Sequence, residues 1–133
     1  MTPESAIILF AHGARDVRWA QPLERLRDAI AAARPGSRIA IAFLELQAPD
    51  LPGALATLAD EGVTQIDIAP IFWSRGGHIA RDLPALVAAF AAGAPGVRVR
   101  VLPVLAELPG MDAFVAQAIL AQAGGAPRTE SGA

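Results

Sequence analysis

The sequence predicts a single α/β domain, a doubly wound four-stranded parallel sheet of order 2-1-3-4 flanked by helices. Three observations indicate this fold. Four short apolar segments alternate with four segments of helical pattern, as in a chain of right-handed β-α units. The apolar segments are continuous, which is typical of strands buried on both faces. The length of 133 residues and the hydrophobic content of 53% suit one domain.

The first half of the chain contains two of these β-α units. Ser5 to Ala11 is an unbroken apolar strand, and Asp16 is placed to cap the helix that follows, from about Trp19 to Ala33. The second strand runs from Arg38 to Leu44 after a Pro-Gly turn. Apolar residues recur at helical spacing along the first helix, and we predict that they face inward. They are Leu23, Leu26 and Ile30.

The second half repeats the alternation. Asp50 is a predicted N-cap for a helix that ends at Asp60. The remaining predicted elements are a strand from Gln65 to Ile71, a helix from about Asp82 to Ala92 opened by Asp82 and Pro84, a strand from Val97 to Leu102, and a helix from about Met111 to Ala123. We therefore assign residues 1–123 to one domain. We expect the polar tail 124–133 to be disordered.

Composition excludes several classes of function. A net charge of -2 and a pI near 5.6 argue against nucleic acid as a partner. The N-terminus lacks a signal peptide and no apolar run is long enough to span a membrane, so we predict a cytoplasmic protein. Neither a GxGxxG nor a GxxxxGK[ST] motif is present, which removes the usual support for nucleotide binding. Because the chain has no cysteine, metal ligands must be histidine, carboxylate, backbone or solvent.

The chain has only two histidines, and both follow predicted strands. His12 comes after the first strand and His78 follows the loop after the third, while Glu45 ends the second. In a sheet of order 2-1-3-4 these three positions share the rim where ligands bind. Two imidazoles at one crevice suit a divalent metal such as cobalt, nickel or iron, and they also suit proton transfer at neutral pH. Taken alone, a histidine at a strand end is more often a hydrogen-bonded structural residue, so each of the two is also open to that interpretation.

Charged and aromatic residues flank the histidines. Phe72 and Trp73 offer flat apolar surface for a ring system, although Trp73 is also typical of a packing or interface residue. A cluster of arginines on an acidic protein suits an anionic, polycarboxylate ligand, and the alternative is a solvated surface. The flanking arginines are Arg15, Arg18, Arg75 and Arg81.

Three blocks of sequence carry a resemblance to a known family. They are the segments LFAHGARD (9–16), AFLELQAP (42–49) and PIFWSRGGHIARDLP (70–84). In this order and at this spacing they resemble the CbiX/SirB family of class II tetrapyrrole chelatases, in its short, single-domain form. The likeness extends from Ala6 to about Leu105.

The resemblance implies a lyase that inserts cobalt, iron or nickel into sirohydrochlorin or a related tetrapyrrole for cobalamin- or siroheme-type biosynthesis. His12 and His78 would bind the metal and, with Glu45, catalyse insertion. The rim arginines would bind substrate together with Trp73 and Ser74. The family's short members are homodimers with the active cleft between subunits. No permanently bound cofactor is implied, since the metal ion is a substrate.

The sequence departs from the family pattern at several positions. Ala14 stands where the family commonly has serine, and Trp73 where an aliphatic residue is usual. Gly77 replaces an arginine, for which Arg75 is the candidate substitute, and residues 104–107 lack a common Leu-Gly step. A non-catalytic metal or tetrapyrrole carrier and an inactive paralogue therefore remain as alternatives. Phosphate transfer through His12 is disfavoured because the Arg-His-Gly order of histidine phosphatases is absent.

Overall fold

The computed structural model describes residues 4–124, except for the side chains of residues 78–81. Its sheet is parallel with the order β2-β1-β3-β4, which confirms the predicted topology. The tail from 125 to 133 lies outside the described residues, so its predicted disorder stays a prediction. The strands are β1 (Ser5–Ala11), β2 (Arg38–Phe43), β3 (Gln65–Pro70) and β4 (Arg98–Val101).

Helices connect the strands as expected. Asp50 caps α2, accepting a hydrogen bond of 2.8 Å from the Gly53 N–H, as the sequence predicted. A 3-10 turn lies at each of Val17–Ala20 and Leu105–Glu107. The helices are α1 (Gln21–Ala33), α2 (Leu51–Asp60), α3 (Gly77–Gly93) and α4 (Met111–Ala123).

The core lies on both faces of the sheet. The larger cluster is formed where alternate residues of β1 and β3 meet α2 and α3, and Ile8, Leu55 and Ile66 in it are fully buried. A smaller cluster on the opposite face joins α1 to β2 through Leu23 and Phe43. The continuous apolar strands of the sequence are thus explained by helices on two sides.

The first helix starts later than the sequence predicts. Trp19 lies in the 3-10 turn and is 72% exposed, whereas α1 begins at Gln21 with Pro22 in its first turn. Proline suits this place because its missing N–H has no partner there in any helix. Leu23 is buried but Leu26 is exposed, so the prediction that Leu26 faces inward is wrong.

The third helix starts earlier than predicted. It begins at Gly77, not Asp82, so that Pro84 lies inside the helix instead of opening it. An interior proline normally costs about 3 kcal/mol because it removes one backbone hydrogen bond. Burial offsets this cost, since Leu83 lies in the main core and Leu86 and Phe90 pack against it. Asp82 and Pro84 therefore do not mark the start of this helix, although the sequence pattern placed it there.

The fourth helix has the predicted bounds but packs on little of its own chain. None of its thirteen residues is buried, and Phe114, Ile119 and Leu120 are 70%, 59% and 60% exposed. Asp112 is its only charged residue. A helix that is apolar on every side normally lies within a larger packed structure. Over the described residues, no helix is long and apolar enough to span a membrane.

One edge of the sheet is formed by the short strand β4. Arg98 and Arg100 are exposed on it, and Arg100 forms an ion pair of 3.0 Å with Asp67 of β3. The hydrogen bonds to Asp67 raise the pKa of the Arg100 guanidinium above its ordinary value. This part of the sheet face is consequently polar.

Candidate active site

The site is built around His12 and Glu45, which follow neighbouring strands. The His12 Nε2 atom lies 3.5 Å from the Glu45 Oε1 atom, and the two side chains are 56% and 54% exposed. Since β1 and β2 are parallel, their carboxyl ends meet at one rim of the sheet. The structure therefore brings together two of the three predicted catalytic residues.

Backbone hydrogen bonds beyond the strands fix this pair. The Leu44 N–H donates to the Ala11 carbonyl at 2.8 Å, and the Glu45 N–H donates to the His12 carbonyl at 3.1 Å. These bonds continue the β1–β2 pairing into the two loops. The chain thus holds the His12 and Glu45 side chains as neighbours without relying on a bond between them.

Gly13 makes this close approach possible. Its φ is +98°, in the region that favours glycine. A Cβ atom at this position would lie 1.9 Å from the Glu45 carbonyl oxygen. The His-Gly dipeptide of the sequence is therefore required by the path of the second loop, which passes directly over residue 13.

Gln47 is a residue that the sequence analysis missed. Its Oε1 atom accepts a hydrogen bond of 2.9 Å from the Ala14 N–H, which ties the loop after β2 to the loop after β1. A glutamine in a loop is ordinarily solvated, so the single sequence carried no signal for this contact. This contact joins the loop that carries Glu45 to the loop that carries His12.

The end of β3 supplies the aromatic part of the rim. The rings of Phe72 and Phe10 meet edge to face, with centroids 5.7 Å apart. The Phe72 and Trp73 carbonyls accept hydrogen bonds from the Leu105 and Ala106 N–H groups, both at 2.9 Å. The Trp73 side chain is 53% exposed, and Ser74 beside it is exposed too. Trp73 thus has a fixed backbone and a ring open to a ligand.

His78 lies in the first turn of α3, one residue after the helix begins. The sequence had placed it at the end of the preceding loop. Its backbone follows β3, the strand next to β1, as predicted. The side chains of His78 and Arg81 are outside the described part of the structure, so their roles stay predictions.

The predicted substrate-binding arginines differ in their surroundings. Arg18 forms a bidentate pair with Asp16, with contacts of 2.6 to 3.1 Å, and these hydrogen bonds lower the pKa of the Asp16 carboxyl and raise that of Arg18. Arg75 donates a hydrogen bond of 3.0 Å to Glu107. Arg15 is exposed and makes no ion pair with any described side chain.

The described part of the rim has few side chains that could bind a metal ion. Within the described residues no three His, Cys, Asp or Glu side chains come close enough to hold a metal ion together. His12 and Glu45 offer one imidazole nitrogen and one carboxylate, which first-row divalent metals accept. An open pair of this kind suits an ion that passes through the site.

The main cleft of the chain lies beside this rim and does not contain His12. It measures about 570 Å³ and lies between α3 and β4. Of the predicted site residues, only Arg75 reaches it among those whose side chains are described, and its other walls are mainly apolar, including Leu83, Val87, Val101 and Val104. None of the described side chains that line this cleft is a histidine or a carboxylate, so the His12–Glu45 pair is the better candidate for holding a metal ion.

Comparison with known proteins decides the family. The CbiX family model matches residues 6–122. The chain belongs to the CbiX family. This confirms the resemblance seen in the sequence, and the match spans His12, Glu45 and His78.

Relatives of this CbiX chain include named enzymes and solved structures. A sirohydrochlorin cobaltochelatase of Methanosarcina acetivorans is 30% identical over 65% of this chain and 67% of its own length. The structure of a protein named as a CbiX protein of cobalamin (vitamin B12) biosynthesis, from Marinobacter aquaeolei VT8, has a TM-score of 0.76 and 28% identity, covering 89% of this chain and 96% of the other. The sirohydrochlorin chelatase SirB from Bacillus subtilis subspecies spizizenii, in complex with cobalt, has a TM-score of 0.66 and 25% identity, covering 76% of this chain.

The matches cover only part of several relatives. The alignments span 67%, 57% and 59% of the first three curated cobaltochelatases and 44% of the SirB chain. Parts of these proteins therefore have no counterpart aligned with this chain.

Proposed function

We propose that this CbiX protein is a chelatase that inserts a divalent metal ion into sirohydrochlorin. The observation that carries the proposal is the exposed His12–Glu45 pair at the rim of β1 and β2, with its atoms 3.5 Å apart. It lies in a chain whose curated relatives are sirohydrochlorin cobaltochelatases. The metal is a substrate, and cobalt(II) is the first ion to test.

The geometry supports a division of labour within the pair. A neutral imidazole donates a lone pair to a divalent ion, and a carboxylate accepts a proton. We assign metal delivery to His12. Glu45 would accept the two pyrrole N–H protons one after the other and release each to solvent. His78 is proposed as the second metal donor, because its backbone follows the strand adjacent to β1.

Substrate binding is proposed for the groups around the pair. Arg15 has no ion-pair partner in the described structure and is therefore available for a peripheral carboxylate of the macrocycle. Arg18 and Arg75 would have to exchange their present carboxylate partners for those of the substrate. Trp73 offers an exposed ring for the macrocycle, and Ser74 and Arg81 are kept as further candidates.

The deciding experiment follows metal insertion into sirohydrochlorin under anaerobic conditions by absorbance. We expect wild type to accelerate insertion of cobalt(II), and Glu45→Gln to lower kcat by about 10²-fold, the ordinary contribution of a general base. His12→Ala and His78→Ala should reduce insertion to background. Glu24→Gln is the matched control, since Glu24 is an exposed carboxylate on α1.

Two results would refute the proposed chelatase activity or its assigned site. Binding of sirohydrochlorin or metal without insertion by cobalt, iron or nickel would favour the carrier or inactive-paralogue reading. Insertion at the wild-type rate by both histidine variants would place the chemistry elsewhere.

A cytoplasmic location stays a prediction from the sequence.

We also propose that the working form is a homodimer with the active cleft between subunits. The support is α4, which carries exposed Phe114, Ile119 and Leu120 and one charge, and which contacts its own chain mainly at Leu105–Glu107.

Sedimentation of wild type and two variants tests the dimer. Phe114→Glu places a charge on the apolar surface of α4 and should shift the protein to monomer. Gln117→Glu adds the same charge to the same helix at a position that is already polar, and it should leave the dimer intact. A monomeric wild type at micromolar concentration would refute the assembly.

A further inference from the structure

Leu46 adopts a backbone conformation that leucine normally avoids. Its φ is +70°, and no other residue except glycine has a positive φ in the described part of the chain. The left-handed region brings the Cβ atom close to the following carbonyl oxygen, so a leucine there is strained. Such strain persists only where the surrounding structure imposes it.

The neighbours of Leu46 impose its conformation. Glu45 is held by the hydrogen bond from its N–H to the His12 carbonyl, and Gln47 is held by the hydrogen bond to the Ala14 N–H. Leu46 is the residue between these two anchors. The turn that brings Glu45 beside His12 and Gln47 beside Ala14 therefore forces residue 46 into this region.

Burial of the Leu46 side chain does not compensate for the backbone strain. The side chain is 56% exposed, so more than half of its apolar surface remains in water and gains nothing from burial. Asparagine or glycine would satisfy the same backbone with less strain. A strained and exposed leucine is thus unfavourable for the folded chain alone, which indicates a role outside folding.

The position of Leu46 within the rim indicates that role. In the order β2-β1-β3-β4, the loop after β1 that carries His12 lies between the loop after β2 that carries Leu46 and the loop after β3 that carries Trp73. Trp73 and Leu46 are 53% and 56% exposed. The loop that carries His12 thus lies between two loops with exposed apolar side chains, Leu46 after β2 and Trp73 after β3.

We propose that Leu46 is a substrate contact that packs on the flat apolar face of the tetrapyrrole and helps to set its position over His12. This inference rests on the proposed chelatase function, and it adds a residue on the β2 side of the rim to Trp73 on the β3 side. The turn at residues 45–47 then has two uses, since it positions the carboxylate of Glu45 and projects an apolar side chain next to it.

The test compares Leu46→Asn with Leu46→Met. Asparagine relieves the strain and removes the apolar surface, whereas methionine keeps the surface and is the conservative control. We measure the thermal unfolding midpoint, the Kd for metal-free sirohydrochlorin by absorbance titration, and kcat and KM for insertion of cobalt(II).

We expect Leu46→Asn to raise Kd and KM about tenfold, the effect of losing part of one apolar contact, with kcat changed less than twofold. Its unfolding midpoint should equal or exceed that of wild type. Leu46→Met should stay within about twofold of wild type in Kd, because the contact surface is retained.

The titration separates failure of this inference from failure of the proposed function. An unchanged Kd for Leu46→Asn, or an unfolding midpoint clearly below that of wild type, would overturn the contact and assign Leu46 to folding. If wild type binds sirohydrochlorin without inserting metal, the chelatase proposal fails while the Kd comparison still decides on Leu46. If wild type does not bind sirohydrochlorin, both proposals fail.

Discussion

Gly13 is the position where a single methyl group would most directly disturb the site. In Gly13→Ala the new Cβ atom would lie 1.9 Å from the Glu45 carbonyl oxygen, while real contacts of this kind are not shorter than 3.0 Å. The Glu45 backbone must therefore retreat by about 1 Å. The alanine would also be strained at φ +98°, which costs about 1–2 kcal/mol.

Such a movement would separate His12 from Glu45, the pair to which we assign catalysis. The Glu45 N–H bond to the His12 carbonyl is 3.1 Å long, and a retreat of about 1 Å would break it. Loss of this bond adds about 1 kcal/mol to the strain, so we expect Gly13→Ala to destabilise the fold by about 2–3 kcal/mol. Insertion should fall about 10²-fold, the usual effect of misplacing a catalytic group by 1 Å.

Gly36→Ala provides the matched control. Gly36 has a φ of +88°, close to that of Gly13, but no atom lies within 4 Å of its added Cβ. This variant should show the strain alone, about 1–2 kcal/mol, with unchanged insertion. Chemical denaturation and the cobalt insertion assay measure both effects. Equal loss of stability and equal activity in the two variants would refute the idea that the Glu45 loop depends on contact with residue 13.

Three further changes test the surrounding structure. Asp50→Ala should lose about 1 kcal/mol of stability in urea denaturation, since it removes the α2 cap. Gln47→Leu should lower the rate of metal insertion with little change in the unfolding midpoint, because it frees the loop at Ala14. The same insertion rate in Gln47→Leu and wild type would argue against a positioning role for Gln47. Glu61→Gln should lower the unfolding midpoint above pH 4.5 and have a smaller effect at more acidic pH. Hydrogen bonds from Arg38 hold the pKa of the Glu61 carboxyl below its ordinary 4.5, so its stabilisation is present above pH 4.5 and lost as the pH falls through the folded pKa.

Topology and the location of the site were predictable from the sequence. Unbroken apolar strands alternating with helical stretches dictate a parallel sheet, and the carboxyl ends of its strands dictate one functional rim. This topology brings His12 and Glu45 to the same rim, and Gly13 and the backbone hydrogen bonds between the two loops allow their close approach. The cap at Asp50 was equally predictable, because it depends on hydrogen bonds within four residues.

Features that depend on packing between distant segments were not predictable. Pro84 reads locally as the start of a helix, but the helix begins seven residues earlier, at Gly77. The contact of Gln47 with Ala14 joins residues 33 positions apart. The left-handed backbone of Leu46 likewise follows from hydrogen bonds of its neighbours to the loop after β1, and leucine has no preference for this conformation that would predict it.

The exposed arginines of β4 affect how two copies of the chain can meet. An edge strand presents unpaired backbone groups, and a copy of the same strand is the partner that it would most easily recruit. Arg98 and Arg100 would oppose the arginines of that copy, so like charges discourage a sheet that continues from one molecule into the next. The sheet edge is thereby protected against aggregation, and association is left to helical surfaces such as α4.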